Sequence, residues 1–191
     1  METAFPTLAQ WIQNHRNQPM LIAVDGRCAS GKTTLASALE RETGCNVIHM
    51  DHFFLRPEQR TKQRLEEPGG NVDYERFQEE VMLPLKRKEV FSYQIFDCHK
   101  MELSSFIEID PNKTTVIEGS YSCHPTLWDF YDLRVFLNIE QEKQFQRIQA
   151  RNGKDGLQRF RERWIPLEEK YFNAFQIRER CDMIFNTGIQ D

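Results

Sequence analysis

Gly26-Arg27-Cys28-Ala29-Ser30-Gly31-Lys32-Thr33 is a complete G-x-x-x-x-G-K-[ST] sequence. It lies between an apolar run, Met20 to Val24, and a helical pattern, Thr33 to Glu42, that stops at Gly44. Strand, glycine-rich loop and helix in that order are the context in which this pattern is a phosphate-binding loop rather than a chance turn. The glycines let the backbone curl so that successive N–H groups converge on one anion, and the helix that follows adds its positive end. Gly26, Arg27, Cys28, Ala29, Ser30, Gly31, Lys32, Thr33 and Thr34 are therefore assigned to a nucleoside triphosphate, ATP or alternatively GTP. Lys32 is placed to reach the β- and γ-phosphates, and Thr33 to ligate Mg2+. Cys28 lies near a helix N-terminus, where thiolate character is favoured, and this predicts sensitivity to thiol reagents.

The runs around this loop set the class. Asn46 to Met50 is a second apolar run, ending in Asp51; Thr114 to Ile117 is a third, ending in Glu118-Gly119. Leu133 to Ile139 makes a fourth strand and Met183 to Phe185 a short fifth. Helical patterns fill most intervals, and Phe5, Leu8, Ala9 and Ile12 place a packing helix ahead of the first strand. This alternation predicts an α/β fold, a P-loop NTPase three-layer sandwich with a five-stranded, mostly parallel sheet, an inserted β-hairpin and a lid. The hairpin is read from Phe91, Tyr93, Ile95 and Phe106, which alternate with polar neighbours. It closes an insertion of about sixty residues between the second and third core strands, far beyond the ~4–6 residues of an ordinary connection. The segment 55–110 is therefore expected to bind substrate. Within it Pro68-Gly69-Gly70-Asn71 is a loop signal, Asp73 to Leu83 reads as helix, and Lys86-Arg87-Lys88 as a solvated helix end. At 191 residues the chain is expected to be one domain, 1–191, with a single active site.

Composition excludes several classes. Hydrophobic residues at 39% and charged residues at 28% match a soluble globular protein and argue against fibrous or disordered character. A net charge of −4 lacks the positive excess that affinity for phosphate backbones requires, so no nucleic-acid partner is expected. The five cysteines include no C-x-x-C pair and fit a reducing cytoplasm better than a disulfide framework or zinc site. His52, His99 and His124 match no zinc spacing. The chain opens Met-Glu-Thr-Ala-Phe-Pro, without the basic start and apolar core of a secretion signal. No stretch of 18 apolar residues occurs, so neither export nor a membrane partner is expected. A homo-oligomer is left open.

A phosphate loop alone serves kinases, GTPase switches and motors alike; the carboxylates separate them. Transfer to a hydroxyl needs a base at that hydroxyl, stabilisation of the transferred charge, and a metal bridging phosphates. Asp51 ends the second strand, and in an open α/β sheet that end faces the same crevice as the loop. It is the candidate base, a turn cap or outer magnesium ligand being the alternatives. Glu118, ending the third strand, faces the same crevice and could hold Mg2+ through water. A guanine-reading switch is disfavoured, because Asn112-Lys113-Thr114-Thr115 lacks the required Asp and precedes a core strand. From Arg147 to Arg163 six basic residues face two acidic ones, so this stretch carries +4 in a chain of net −4. Arg147 and Arg151 share one helical face before Asn152-Gly153, where a mobile loop is expected. The segment 151–163 is read as a lid whose arginines close over phosphates. For Arg159, Arg161 and Arg163 a solvated helix face serves equally well.

With these residues in place, the chain resembles the uridine kinase and phosphoribulokinase group of P-loop kinases, most of all its short bacterial uridine kinase-like members. The likeness runs from Gly26 to the closing Cys181-Asp182-Met183-Ile184-Phe185-Asn186. The group's Asp-x-Phe-[Tyr/Phe] is matched by Asp51-His52-Phe53-Phe54, which implies that Asp51 activates a nucleoside 5′-hydroxyl; Phe53, Phe54, Tyr93 and Phe96 offer surfaces for a flat base, with ordinary core packing an equal alternative for Phe53 and Phe96. Asn71-Val72-Asp73 resembles its Asn-Phe-Asp, implying that Asp73 holds ribose hydroxyls. Arg151-Asn152-Gly153 resembles its lid arginine before glycine, with Arg147 a companion. The group's hairpin Tyr is followed five residues on by a base-contacting His; here Tyr93 is followed by Cys98, and His99 would need a bulge to reach that place. The resemblance implies Mg2+- and ATP-dependent phosphorylation of uridine or cytidine. Kinases for pantothenate, nicotinamide riboside or sugars use the same core and would differ only in the hairpin and the 55–73 loop.

Overall fold

The computed structural model describes residues 3–188, and the alternation within each apolar run decides what packs on either side of the sheet. Helix α1 (Ala4–Asn14) precedes β1 (Leu21–Gly26), which leads through the glycine-rich loop into α2 (Lys32–Thr43) and then β2 (Asn46–His49). Ile22 and Val24 of β1 pack with Leu8 and Ile12 of α1 and Leu35 and Leu39 of α2, while Ala23 between them belongs to the core on the opposite face. Gly44, in the left-handed region at φ +71°, ends α2 where the sequence placed its stop.

The insertion contains α3 (Lys62–Glu66), α4 (Tyr74–Phe77), α5 (Leu83–Arg87) and an antiparallel hairpin of β3 (Phe91–Asp97) and β4 (Glu102–Ile109). The main sheet resumes with β5 (Thr115–Glu118) and β6 (Leu133–Ile139), followed by α6 (Gln141–Arg159), α7 (Ile165–Phe175), α8 (Ile177–Arg180) and β7 (Met183–Thr187). Strand order is β2-β5-β1-β6-β7 and every pairing is parallel, so the sheet is more uniform than the mostly parallel one expected. Because β1 lies between β5 and β6, the strand order reverses beside the phosphate loop, the place where open α/β sheets bind ligands. Lys86, Arg87 and Lys88 are exposed at the end of α5.

Two prolines shape the insertion and the lid. A π-turn over Gln78–Met82 joins α4 to α5 just before Pro84, and another over Phe160–Trp164 joins α6 to α7 just before Pro166. Proline has no N–H for the carbonyl four residues back and its ring crowds that carbonyl; a widened turn relieves both while the helix continues. The lid is thus helical rather than the loop expected at Asn152-Gly153. Gly153 alone leaves the helical region, at φ +72°, and kinks α6. Beyond the kink Leu157, Phe160 and Ile165 pack with Ile148 and Cys28, and this apolar contact restores the helix. Among the described residues, no helix is long and apolar enough to cross a membrane.

Candidate active site

The phosphate loop starts where β1 comes against β6. Gly26 holds φ +133°, and a Cβ there would lie 2.1 Å from the carbonyl oxygen of Leu137. Gly31 (φ +99°) and Ala29 (φ +61°) supply the remaining turns. Lys32 curls back over the loop, its Nζ donating to the carbonyls of Gly26 at 2.7 Å and Arg27 at 3.0 Å, with the Ser120 hydroxyl oxygen 3.5 Å away. Asp25, fully buried just ahead of the loop, accepts from the N–H groups of Gly26, Tyr121 and Cys123 and from the Tyr171 hydroxyl. Burial pushes its carboxyl up to about 6 against those hydrogen bonds and the charge of Lys32. Asp25 thereby ties the loop to the segment after β5 and to α7.

Three acidic or basic side chains meet at the strand ends. The register pairs His49 of β2 and Val24 of β1 with Glu118 of β5. The Thr33 hydroxyl donates to Glu118 Oε1 at 3.0 Å, and the same oxygen lies 2.5 Å from His49 Nδ1. That hydrogen bond to Glu118 is the main reason the His49 imidazole is pushed up, against the opposing effect of burial. Asp51 follows in a short 3-10 turn, Met50–Phe53, with surface open to the cavity. Protein nonetheless crowds its carboxyl, and loss of water, then the charges of Glu118 and Glu168, push it above the usual carboxylate range, with Lys32 and His49 pulling the other way. A threonine hydroxyl and a carboxylate are the hard oxygen donors Mg2+ takes when phosphates and water complete its shell. Thr33 and Glu118 fit that role, and among the described residues no larger cluster of His, Cys, Asp and Glu could enclose an ion without phosphates.

Lys32, Thr33, Asp51 and Glu118 line one cavity of about 650 Å³, within the range of small-molecule sites. Arg147, Arg151 and Arg163 line it from the lid side, Arg163 having been as readily read as a solvated residue. Arg147 Nη1 donates to the Ala29 carbonyl at 3.0 Å, and Arg151 Nε to its neighbour Asn152. On the side of the 55–110 insertion Phe54, Asn71 and Cys98 line the cavity, joined by Arg60 and Met101, which the sequence did not single out. Four sequence-assigned substrate residues are not among its lining residues. Phe53 is fully buried between Phe77 and Tyr93, with the Arg76 guanidinium 4.2 Å over its ring. Tyr93, 1% exposed, faces the core with its hydroxyl 3.1 Å from His52 Nδ1. Asp73 has both oxygens engaged, one by the Arg76 N–H as cap of α4 and the other by Gln59 Nε2 at 2.7 Å. His99 is exposed in the hairpin turn, its N–H on Asp97. A register shift does occur between Gln94 and Phe96, yet it is Cys98, not His99, that reaches the cavity.

Cys28 also departs from expectation. Its thiol is buried and pushed far up, first by loss of water and then by the neighbouring charge of Glu168, which outweigh the opposing charge of Lys32 and the Gln144 hydrogen bond. Brief iodoacetamide treatment at pH 7.5 is expected to label exposed Cys98 ahead of Cys28 in peptide mass mapping; a loop peptide labelled first overturns this assignment.

The comparisons with known proteins bear on this geometry. No protein-family model matches the chain. It is 25% identical over 137 residues to the uridine kinase of Ligilactobacillus salivarius (strain UCC118), a match spanning 68% of this chain and 64% of that relative's own length. Among solved structures it superposes on a "possible uridine kinase" from Bacillus stearothermophilus with a TM-score of 0.71 at 22% identity, covering 97% of this chain and 100% of that one. The chain resembles the uridine kinase group of P-loop kinases. A Saccharomyces cerevisiae chain, described as a candidate P-loop containing kinase with a circular permutation, superposes with a TM-score of 0.66 at 11% identity, covering 98% and 99% of the two chains. At such identities the shared feature is the α/β P-loop kinase fold.

Proposed function

We propose that the protein is an ATP- and Mg2+-dependent kinase that phosphorylates the 5′-hydroxyl of a pyrimidine nucleoside, uridine or cytidine. The observation carrying this reading is that Asp51, Glu118 and Thr33 of the phosphate loop meet at one rim of one cavity. Asp51 takes or orients the hydroxyl proton, and Lys32 with the loop amides holds the phosphates. Thr33 and Glu118 would hold Mg2+, whose charge, when bound, offsets that of the β- and γ-phosphate oxygens. Arg147 and Arg151 close over the γ-phosphate and exclude water.

One observation favours a second acceptor within the same reaction class. The position that would present a base-reading His is Cys98, and Arg60 lines the same half of the cavity, a combination suited to an acceptor bearing a carboxylate, such as pantothenate. The test is ADP release from Mg-ATP, and GDP release from Mg-GTP, with a panel of nucleosides, pantothenate and sugars. Uridine or cytidine is expected to raise turnover above hydrolysis; stimulation by pantothenate alone selects the second acceptor. If no acceptor raises it, the kinase reading fails.

A further inference from the structure

One buried ionisable side chain that the proposed chemistry does not use faces the phosphate loop. Glu168, near the start of α7, is 4% exposed. Its Oε2 accepts from the Cys28 N–H at 3.0 Å, and its Oε1 from the Ser120 hydroxyl at 2.5 Å. Glu169 beside it pairs with Arg27 at 2.9 Å. Helix α6 grips the same loop, Gln144 Nε2 donating to the Cys28 carbonyl at 3.1 Å and Arg147 to that of Ala29. The two helices that carry the lid therefore hold the loop directly.

The position of Glu168 along the loop is informative. Amides at the start of the following helix cradle the inner phosphates, while the lysine tip reaches the outer ones. Here that tip lies against the carbonyls of Gly26 and Arg27, and Cys28 is the next residue. Ser120 bridges the two groups, 3.5 Å from Nζ and bonded to the Glu168 carboxylate. The charge of Glu168 contributes to pushing up Cys28, Asp51 and Tyr121. A phosphate oxygen bonded to the Cys28 amide would come into contact with Oε2, and two like charges in that space repel strongly.

We propose that Glu168 is a positioning residue at the outer-phosphate end of the loop, where its carboxylate competes with the γ-phosphate for the Cys28 amide, so that a triphosphate displaces it and shifts α7 with the lid. A diphosphate leaves it in place. The inference rests on nucleotide binding at this loop and deepens the kinase reading: the lid arginines are moved by the phosphate that is to be transferred. The experiment uses the full chain with Mg2+ and either ADP or a non-hydrolysable ATP analogue. By calorimetry, Glu168→Gln is expected to tighten analogue binding roughly tenfold, the order typical of coupling between sites, and to leave ADP within about twofold. By hydrogen exchange of the wild type, amides of residues 160–172 are expected to change with the analogue and not with ADP, a readout that needs no variant. Equal shifts for both nucleotides, weaker analogue binding, or the same exchange pattern with both ligands overturns the inference. A wild-type chain that binds neither nucleotide overturns the kinase reading and this inference together.

Discussion

Replacing Asp51 by Asn is expected to lower kcat by about 10²–10⁴-fold, the contribution of a positioned general base, while Mg-ATP affinity stays within about twofold. The amide keeps the size of the side chain but cannot accept a proton. Asp51 sits in the turn just after β2 with surface open to the cavity, and its carboxyl is already made more basic by burial and by the charges of Glu118 and Glu168. A base with a raised pKa takes a hydroxyl proton more readily, provided it is ionised at working pH. Wild-type turnover is expected to fall as pH drops through the raised pKa of Asp51, so the acidic limb begins above the ordinary carboxylate range. The residual rate of the Asn variant lacks that limb. ADP release at saturating acceptor across pH, beside a direct ATP titration, separates the effects. Full kcat in the variant removes Asp51 as the base without touching the assignment of the phosphate loop.

The parts of this site that were legible in the sequence are those whose cause is local. The loop from Gly26 to Thr33 carries its own turn glycines and sits between a strand and a helix whose periodicities are plain within ten or so residues. Asp51 and Glu118 were found because parallel strands present their C-terminal ends to one crevice. Glu168, Asp25 and Ser120 were missed for the opposite reason: their partners lie far along the chain, and nothing near Glu168 marks it apart from other helix-surface acids. His99 illustrates a different limit. In a hairpin a one-residue slip reverses which face a side chain takes, and the register shift at Gln94 to Phe96 left Cys98 on the cavity side. At Gly153 the local signal for a break was correct, yet long-range packing of Leu157, Phe160 and Ile165 decided that helix follows rather than loop.

Gly26→Ala is expected to cost about 3–5 kcal/mol of stability, combining backbone strain with overpacking, and to abolish nucleotide binding. The φ of +133° is one that residues with a Cβ rarely adopt, and the added methyl would meet the Leu137 oxygen at 2.1 Å and nitrogen at 2.7 Å. Both are backbone atoms inside the β1–β6 pairing, so no side chain can swing away. Relief would require the strands to separate at the point where Arg27 N–H donates to the Leu137 carbonyl, which sets the first turn of the phosphate loop. Gly44→Ala is the informative control. Its φ of +71° is also left-handed, but nothing lies within 4 Å of an added Cβ, so only the left-handed penalty of ~1–2 kcal/mol applies. Urea unfolding and ATP titration of both variants distinguish the causes. If the two lose equal stability, backbone conformation alone explains Gly26; if Gly26→Ala is far worse and Gly44→Ala binds ATP normally, the close approach of β1 to β6 is what holds the loop in its anion-binding shape.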